Sequence, residues 1–341
     1  MSGGVGSILV VRYSALGDVV LATSVLEPLR ARYPRARIEW VTSPAYAPLL
    51  EGLPALAAVH RLDLAGPRGA LALGRALRGR FDVAVDLQNK LKSRLVARAA
   101  APRVVTFRRR SAGRAVLALL GLDPPMRGPH ATVLYAEALR PLGVESAGRP
   151  RVHPSAAARE RAASVLAAAG RPRIAFAPGA STATKRWPAE RFAEVARSLT
   201  AGGASIVLAG GPSDRAEIDA FRAALGGPVA ADLTDLPVDA LAAGLADVDL
   251  LVACDSGPVH LAAAAGTPVV AIFGPTSPER WGPPPPGRVV AFPIACAPCS
   301  NHGDARCPKG HHRCMLDLGA AAVVQAAREA MARLPRLPHP E

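Results

Sequence analysis

The chain is poor in aromatic residues: Phe, Trp and Tyr make up 4% of its 341 residues. Binding single-stranded nucleic acid without sequence preference needs rings on which bases can stack, set among basic groups. So sparse a set excludes a stacking platform, and no nucleic-acid partner is expected. Lysine is as scarce, with Lys90, Lys92, Lys185 and Lys309 the only four among 41 basic residues. Long apolar runs are missing too. The uncharged stretch from Pro258 to Pro278 is interrupted by Gly and Pro and carries His260, so it cannot be a membrane span. The N-terminal residues run into a strand with no basic region and apolar core of signal type. A soluble cytoplasmic protein is expected, at most peripheral to the cytoplasmic face of a membrane. Two phosphate-binding fingerprints are absent as well. The turn Arg12-Tyr13-Ser14-Ala15-Leu16-Gly17-Asp18 lacks the G-x-G-x-x-G pattern, which disfavours a nicotinamide enzyme. The segment from Pro178 to Pro188 lacks the spacing of a Walker A loop.

What is present is apolar bulk and an uneven charge. Half the residues are hydrophobic, enough for sizeable cores, and a chain of this length favours two domains. Residues 1–150 hold 22 Lys and Arg against 10 Asp and Glu, a net of +12, whereas residues 151–341 hold 19 against 17, a net of +2. That asymmetry suggests an anionic partner for the first half, or else a solvated arginine-rich surface.

Short apolar runs alternate with helical segments, which argues for βαβ units and parallel sheets. Strands are expected at 8–12, 38–42, 81–87 and 104–107, with helices at 18–33 and 91–99. The chain turns polar from Val144 to Ala156. The alternation then restarts: strands at 174–177, 205–209, 249–254 and 269–273, and helices at 159–169, 188–201, 238–245 and after Gly257. The expected architecture is α/β, of two Rossmann-like domains with a cleft between them. Residues 1–155 form the first, residues 156–318 the second with a Cys/His-rich loop at 296–314, and residues 319–341 a closing helix and tail.

Three clusters carry chemistry. Asp255-Ser256-Gly257-Pro258-Val259-His260 lies where a strand ends and a helix begins, the edge at which open α/β sheets bind ligands and helix N–H groups attract phosphate. Asp255 could cap its helix and His260 could be a satisfied core residue; together with Ser256 and Gly257 they fit an anion better. The segment Pro178 to Pro188 offers Ser181, Thr182 and Lys185 at another strand-to-helix crossing, suited to a diphosphate or to an ordinary solvated turn. At the first turn, Gly17 permits a close ligand approach. Asp18 is there either a helix cap or a carboxylate able to take a proton from an attacking hydroxyl. Cys296, Cys299, Cys307 and Cys314 crowd together with His302, His311 and His312. Four thiolates would suffice for a structural zinc, but a single C-x-x-C pair equally suits a reduced, loop-rich cap.

Tyr13-Ser14-Ala15-Leu16-Gly17-Asp18, Pro178-Gly179-Ala180 with Lys185-Arg186-Trp187-Pro188, and Asp255-Ser256-Gly257 with His260 and Phe273-Gly274-Pro275-Thr276 together resemble the lipopolysaccharide heptosyltransferases of glycosyltransferase family nine. Cys296-Ala297-Pro298-Cys299, Cys307-Pro308 and Cys314-Met315 look like the branch that adds the second heptose. The resemblance implies a GT-B fold, with the acceptor on the first domain and the nucleotide sugar on the second. It implies inverting transfer of heptose from ADP-heptose to the phosphorylated, lipid A-linked inner core at the inner leaflet, with no cofactor required. Asp18 is then the general base. Ser181, Thr182, Lys185, Asp255, Ser256, Gly257 and His260 hold the donor, and positive charge with helix N–H groups stabilises the leaving diphosphate in place of a catalytic metal. Ser14, Gly17, Lys90, Lys92 and Arg94 face the acceptor, joined by Arg98 and Arg108 to Arg110. The competing readings are a transferase of the same fold using another nucleotide sugar, and a non-enzymatic basic nucleic-acid-binding protein with a zinc loop. The latter explains the charge but not the three clusters.

Overall fold

The protein is described by a computed structural model, which covers residues 4–63, 66–107 and 127–332. The chain divides into two compact units, Met1–Pro124 with Pro129–Ser155, and Pro125–Gly128 with Ala156–Glu341. Each is an α/β layer structure built on one parallel sheet.

In the first unit β1 (Ser7–Val11), β2 (Arg37–Thr42), β3 (Ala58–Arg61), β4 (Val83–Asp86) and β5 (Arg103–Thr106) lie in the order β3-β2-β1-β4-β5, and all neighbours are parallel. Ile8 to Val11 and Val83 to Val85 have no exposed surface. Strands covered on both faces are written as unbroken apolar runs, because no position faces water. In the second unit β6 (Arg173–Ala177), β7 (Ser205–Leu208), β8 (Ala231–Asp232), β9 (Leu250–Cys254), β10 (Val269–Phe273) and β11 (Arg288–Ala291) lie in the order β11-β10-β9-β6-β7-β8, again all parallel. Phe176, Trp187, Phe192 and Phe221 pack together in the core of this unit. Phe176 stacks on Phe221 with centroids 5.5 Å apart, and Trp187 meets Phe192 edge-on at 4.9 Å.

The two strand orders decide where ligands can bind. Winding reverses between β1 and β4 in the first sheet and between β6 and β9 in the second. At such a switch point the loops leaving adjacent strands diverge to opposite faces and open a crevice at their carboxyl ends. All three sequence clusters that bear chemistry leave β1, β6 or β9.

Some elements differ from expectation. The helix expected at 18–33 is three pieces: Leu16–Ala22, a 3₁₀ turn Thr23–Val25, and Leu26–Arg32. Thr23 is the cause: its hydroxyl donates to the Val20 carbonyl at 2.7 Å, a local bond that competes with the helical ladder. Pro188 stands just outside the helix Ala189–Thr200, with an extended ψ of 134°, because its own carbonyl receives the first helical bonds. The strands β3, β8 and β11 and the helices Pro67–Ala76 and Ala131–Leu139 were not foreseen. The closing helix is Ala320–Met331; the tail beyond residue 332 lies outside the described residues, as do Arg108 to Arg110. Among the described residues no helix is long and apolar enough to cross a membrane.

Candidate active site

At the first switch point the turn after β1 carries Ser14, Gly17 and Asp18. Ala15 is the N-cap of the helix Leu16–Ala22, so Gly17 and Asp18 sit inside its first turn. Asp18 does more than cap. Its Oδ1 is 2.5 Å from Arg12 Nη2 and accepts a hydrogen bond from the Tyr135 hydroxyl at 3.1 Å, while Oδ2 receives a long 3.4 Å bond from the Ala15 amide. Arg12 is almost fully buried and donates with Nη1 to the Leu87 carbonyl just past β4. Burial alone would lower the Arg12 pKa. The Tyr135 and Asp18 oxygens facing it and the bond to Asp18 outweigh that, and the pKa is raised.

Gln88 joins the two loops of this crevice. Its Oε1 accepts from the Tyr13 and Ser14 amides, each at 3.3 Å, and its Nε2 donates to Ser14 Oγ at 3.4 Å. Lys90 is the N-cap of the helix Leu91–Ala100, and its amide donates to Ser93 Oγ at 3.0 Å. Arg94 donates twice to Asn89 Oδ1, at 3.0 and 2.7 Å. Lys90, Arg94 and Arg98 are exposed and Lys92 is half-buried. This unit therefore combines a fixed carboxylate with a row of cations beside a helix start.

At the second switch point the loops after β6 and β9 meet. Lys185, at the end of a short 3₁₀ turn, is buried, and its Nζ lies 3.5 Å from Asp255 Oδ2. The same oxygen accepts the Thr276 hydroxyl at 2.7 Å, from the loop after β10. His260 is buried in the first turn of the helix Gly257–Ala265, whose N-cap is Ser256. The Ser256 hydroxyl donates to the Cys254 carbonyl at 3.0 Å, so this residue offers a ligand its backbone more readily than its side chain. Gly179 is required by close approach: a Cβ there would stand 2.3 Å from Asp214 Cγ.

The hydroxyls of the Ser181 to Thr184 loop are not equivalent. Ser181 is exposed, Thr182 Oγ1 donates to the His302 carbonyl at 3.4 Å, and Thr184 is buried with its hydroxyl on the Asp304 carbonyl at 2.8 Å. Thr184 also accepts from the Asp304 amide at 2.8 Å, and its carbonyl is 2.7 Å from His312 Nε2. The Cys/His-rich loop is thus laced to the segment that carries Lys185. Gly303, at φ +81°, makes this possible, since a Cβ there would be 2.1 Å from Thr182 Oγ1 and 2.8 Å from Lys185 Cγ.

All five cysteines are free thiols. Among the described residues no group of three or more His, Cys, Asp or Glu side chains is arranged to hold a metal ion; the bonds from Thr182 and Thr184 to residues 302 and 304 make the loop a clasp on the Lys185 segment. Burial pushes the Cys314 thiol up to about 11 and the Cys254 thiol in β9 up to about 12. Cys307 moves the other way: burial raises it, but the amides of residues 309 to 312 point at its sulfur and bring it below its usual value.

Gln88, Tyr135 and Asp304 are named by no sequence motif, and Arg12 and Thr276 stand in motifs without an assigned role. Asp304 lies within the Cys/His-rich loop, whereas Tyr135 is 117 residues from its partner Asp18.

Two units, each built on one parallel sheet, are the architecture of the GT-B fold. The family model of glycosyltransferase family 9 (heptosyltransferase) matches residues 70–308, and the chain belongs to that family of enzymes. Lipopolysaccharide heptosyltransferase 2 of Escherichia coli strain K12 is 30% identical, over 93% of this chain and 96% of its own. A glycosyl transferase family 9 protein of Veillonella parvula DSM 2008 has a TM-score of 0.79 at 22% identity, covering 98% of this chain and 99% of that one. The ADP-heptose lps heptosyltransferase II of Escherichia coli has a TM-score of 0.73 at 24% identity, covering 96% and 99%. The glycosyltransferase reading therefore stands, and the non-enzymatic nucleic-acid-binding reading does not.

Proposed function

We propose that this enzyme transfers heptose with inversion from ADP-heptose to the phosphorylated inner core of lipopolysaccharide, as the enzyme of the second-heptose branch. The observation that carries the proposal is a cation–carboxylate pair at each switch point, one fixed and one looser. In the first unit Asp18 takes the proton from the acceptor hydroxyl as it attacks the anomeric carbon, a role worth about 10²–10⁴ in rate. Ser14 and Gly17 border that position, and Lys90, Lys92 and Arg94 meet the acceptor's phosphates. The net charge of +12 in residues 1–150 suits such an acceptor at an anionic membrane surface.

In the second unit Lys185 turns from Asp255 toward the donor diphosphate. Amides at the start of the helix Gly257–Ala265 add the N–H groups and partial positive charge that favour an anion. Asp255, Ser256 and His260 border the donor sugar, with Ser181 and Thr182 on the rim. Developing negative charge on the leaving ADP is stabilised by groups already in place. A single displacement needs no covalent nucleophile.

The test is calorimetric titration of the purified protein with ADP, UDP, GDP and their sugar conjugates, on wild type and Lys185→Ala. Binding selective for ADP or ADP-heptose and lost in the variant is expected, followed by loss of turnover on core lipid A in Asp18→Asn. A preference for UDP or GDP would keep the enzyme class and remove heptose from the assignment.

A further inference from the structure

The reading of Asp18 as general base leaves open how one particular oxygen of that carboxylate is aimed. A terminal carboxylate torsion is broad and roughly two-fold, so a lone Asp on a helix would present either oxygen in a range of directions. Proton abstraction concurrent with attack rewards a base held at one distance and angle. We propose that Arg12 and Tyr135 are positioning residues that engage Asp18 Oδ1 and so leave Oδ2 as the oxygen that meets the acceptor hydroxyl.

Arg12 leaves the end of β1 and spans the switch point. One arm of its guanidinium donates to the Leu87 carbonyl beyond β4 and the other sits 2.5 Å from Asp18 Oδ1. Its Nε is buried with no hydrogen-bond partner among the described residues, so the fork is oriented to serve those two acceptors at the expense of a third donor. The Arg12 carbonyl is itself held by Trp40 Nε1 at 3.0 Å, which fixes the backbone from which the side chain extends.

Tyr135 comes from the helix Ala131–Leu139. It is 3% exposed, with the Arg12 guanidinium 5.5 Å from its ring centroid and Phe107 edge-on at 6.2 Å. A ring held on two sides places its hydroxyl at 3.1 Å from the same Oδ1. Among the described residues Oδ2 meets only the Ala15 amide, at 3.4 Å, at the long end of hydrogen bonding. The Asp18 side chain keeps 18% of its surface open, and it is this less engaged oxygen that can accept a proton.

The test is steady-state kinetics with ADP-heptose and core lipid A on Tyr135→Phe, Arg12→Lys and Arg12→Met, each in the wild-type and the Asp18→Asn background, with melting curves alongside. Residues that act through one group are non-additive with its removal. The expected result is a fall in kcat of about tenfold for Tyr135→Phe with donor KM unchanged. Arg12→Lys should recover part of the loss caused by Arg12→Met, since it restores the charge but not the fork. In the Asp18→Asn background each substitution should change kcat by less than about twofold. Equal losses in both backgrounds would make Arg12 and Tyr135 merely structural and overturn the proposal, as would full kcat in Tyr135→Phe. Tyr135→Phe keeps the ring, so the test survives if Arg12→Met fails to fold. Full turnover in Asp18→Asn is a separate outcome that would remove the base assignment itself.

Discussion

The two switch points use the same three kinds of group to different ends. In the first unit a carboxylate, Asp18, meets an arginine at 2.5 Å and a phenol at 3.1 Å. In the second a carboxylate, Asp255, meets a lysine at 3.5 Å and a threonine hydroxyl at 2.7 Å. Arginine offers a rigid planar fork and stays where its acceptors put it, while lysine is a point charge on a flexible stem. The first pair therefore suits a carboxylate that must keep one pose. On the proposed function, the second suits a cation that turns toward an incoming diphosphate and back to its resting partner. Side chains of Lys185 and Asp255 are 10% and 7% exposed, so neither charge tolerates being left alone.

That contrast breaks most visibly in Asp255→Asn. Removing one partner of a buried ion pair leaves the other uncompensated, at a cost of about 3–5 kcal/mol. A large fall in melting temperature is expected. ADP should then recover part of it, because the diphosphate supplies the missing charge and ligand binding adds to stability by mass action. Asp18→Asn should show no such extra recovery, since on the proposed function the diphosphate meets the second unit and not Arg12. Equal ADP-induced shifts in both variants would erase the distinction between a fixed and an exchangeable pair.

The clasp from the Cys/His-rich loop sharpens it at smaller scale. Gly303 and Gly310 both have positive φ, +81° and +75°, but only Gly303 has neighbours, Thr182 and Lys185. A side chain at either position costs about 1 kcal/mol in backbone strain. Gly303→Ala should in addition displace the Lys185 stem and weaken ADP binding by about tenfold, or 1.4 kcal/mol. Gly310→Ala should leave ADP affinity unchanged. Calorimetry on the two variants separates strain from positioning, and equal affinities would deny the loop a part in holding Lys185.

The same contrast explains what could be read from the sequence. β1, β9 and β10 are interior strands, so their burial on both faces writes itself as Ile8 to Val11, Leu250 to Cys254 and Val269 to Phe273. The edge strands β3 and β11 are half exposed, with His60, Arg61 and Arg288 among their few residues, and lack any such run. Asp18, Lys185 and Asp255 were legible because each follows a readable strand at a turn. Their partners were legible only where the chain is local. Thr276 lies in a loop already singled out, whereas Tyr135 reaches Asp18 by tertiary packing of a helix whose sequence carries no mark of that contact. The broken helix at Thr23 was missed because apolar spacing continues across a hydroxyl-bonded turn.

The smallest expected effect concerns Asp86, the second carboxylate at the first switch point, 1% exposed. Unlike Asp18 and Asp255 it meets no cation within ion-pairing distance among the described residues. Its Oδ1 accepts the Gln88 and Asn89 amides at 3.0 and 2.8 Å, and its Oδ2 accepts Ser93 Oγ at 3.0 Å. Burial raises its pKa above the ordinary 3.8, although the Asn89, Ser93 and Gln88 bonds and the more distant Arg94 pull it back. An asparagine can keep Oδ1 on both amides and turn its amide toward the serine oxygen. Asp86→Asn should thus change stability by less than about 1 kcal/mol, whereas Asp86→Ala, which leaves buried donors unmet, should cost about 2 kcal/mol. The pH dependence has a definite sign. A carboxyl with a raised folded pKa stays protonated in the folded chain after it has ionised in the unfolded one, so its contribution to stability falls as pH rises from 3.8 through the folded value. Denaturant midpoints measured from about pH 4 to about pH 7 should therefore show wild type losing ground to Asp86→Asn as pH increases. A gap that is flat or closes the other way would mean that the hydrogen bonds, and not burial, govern this carboxylate.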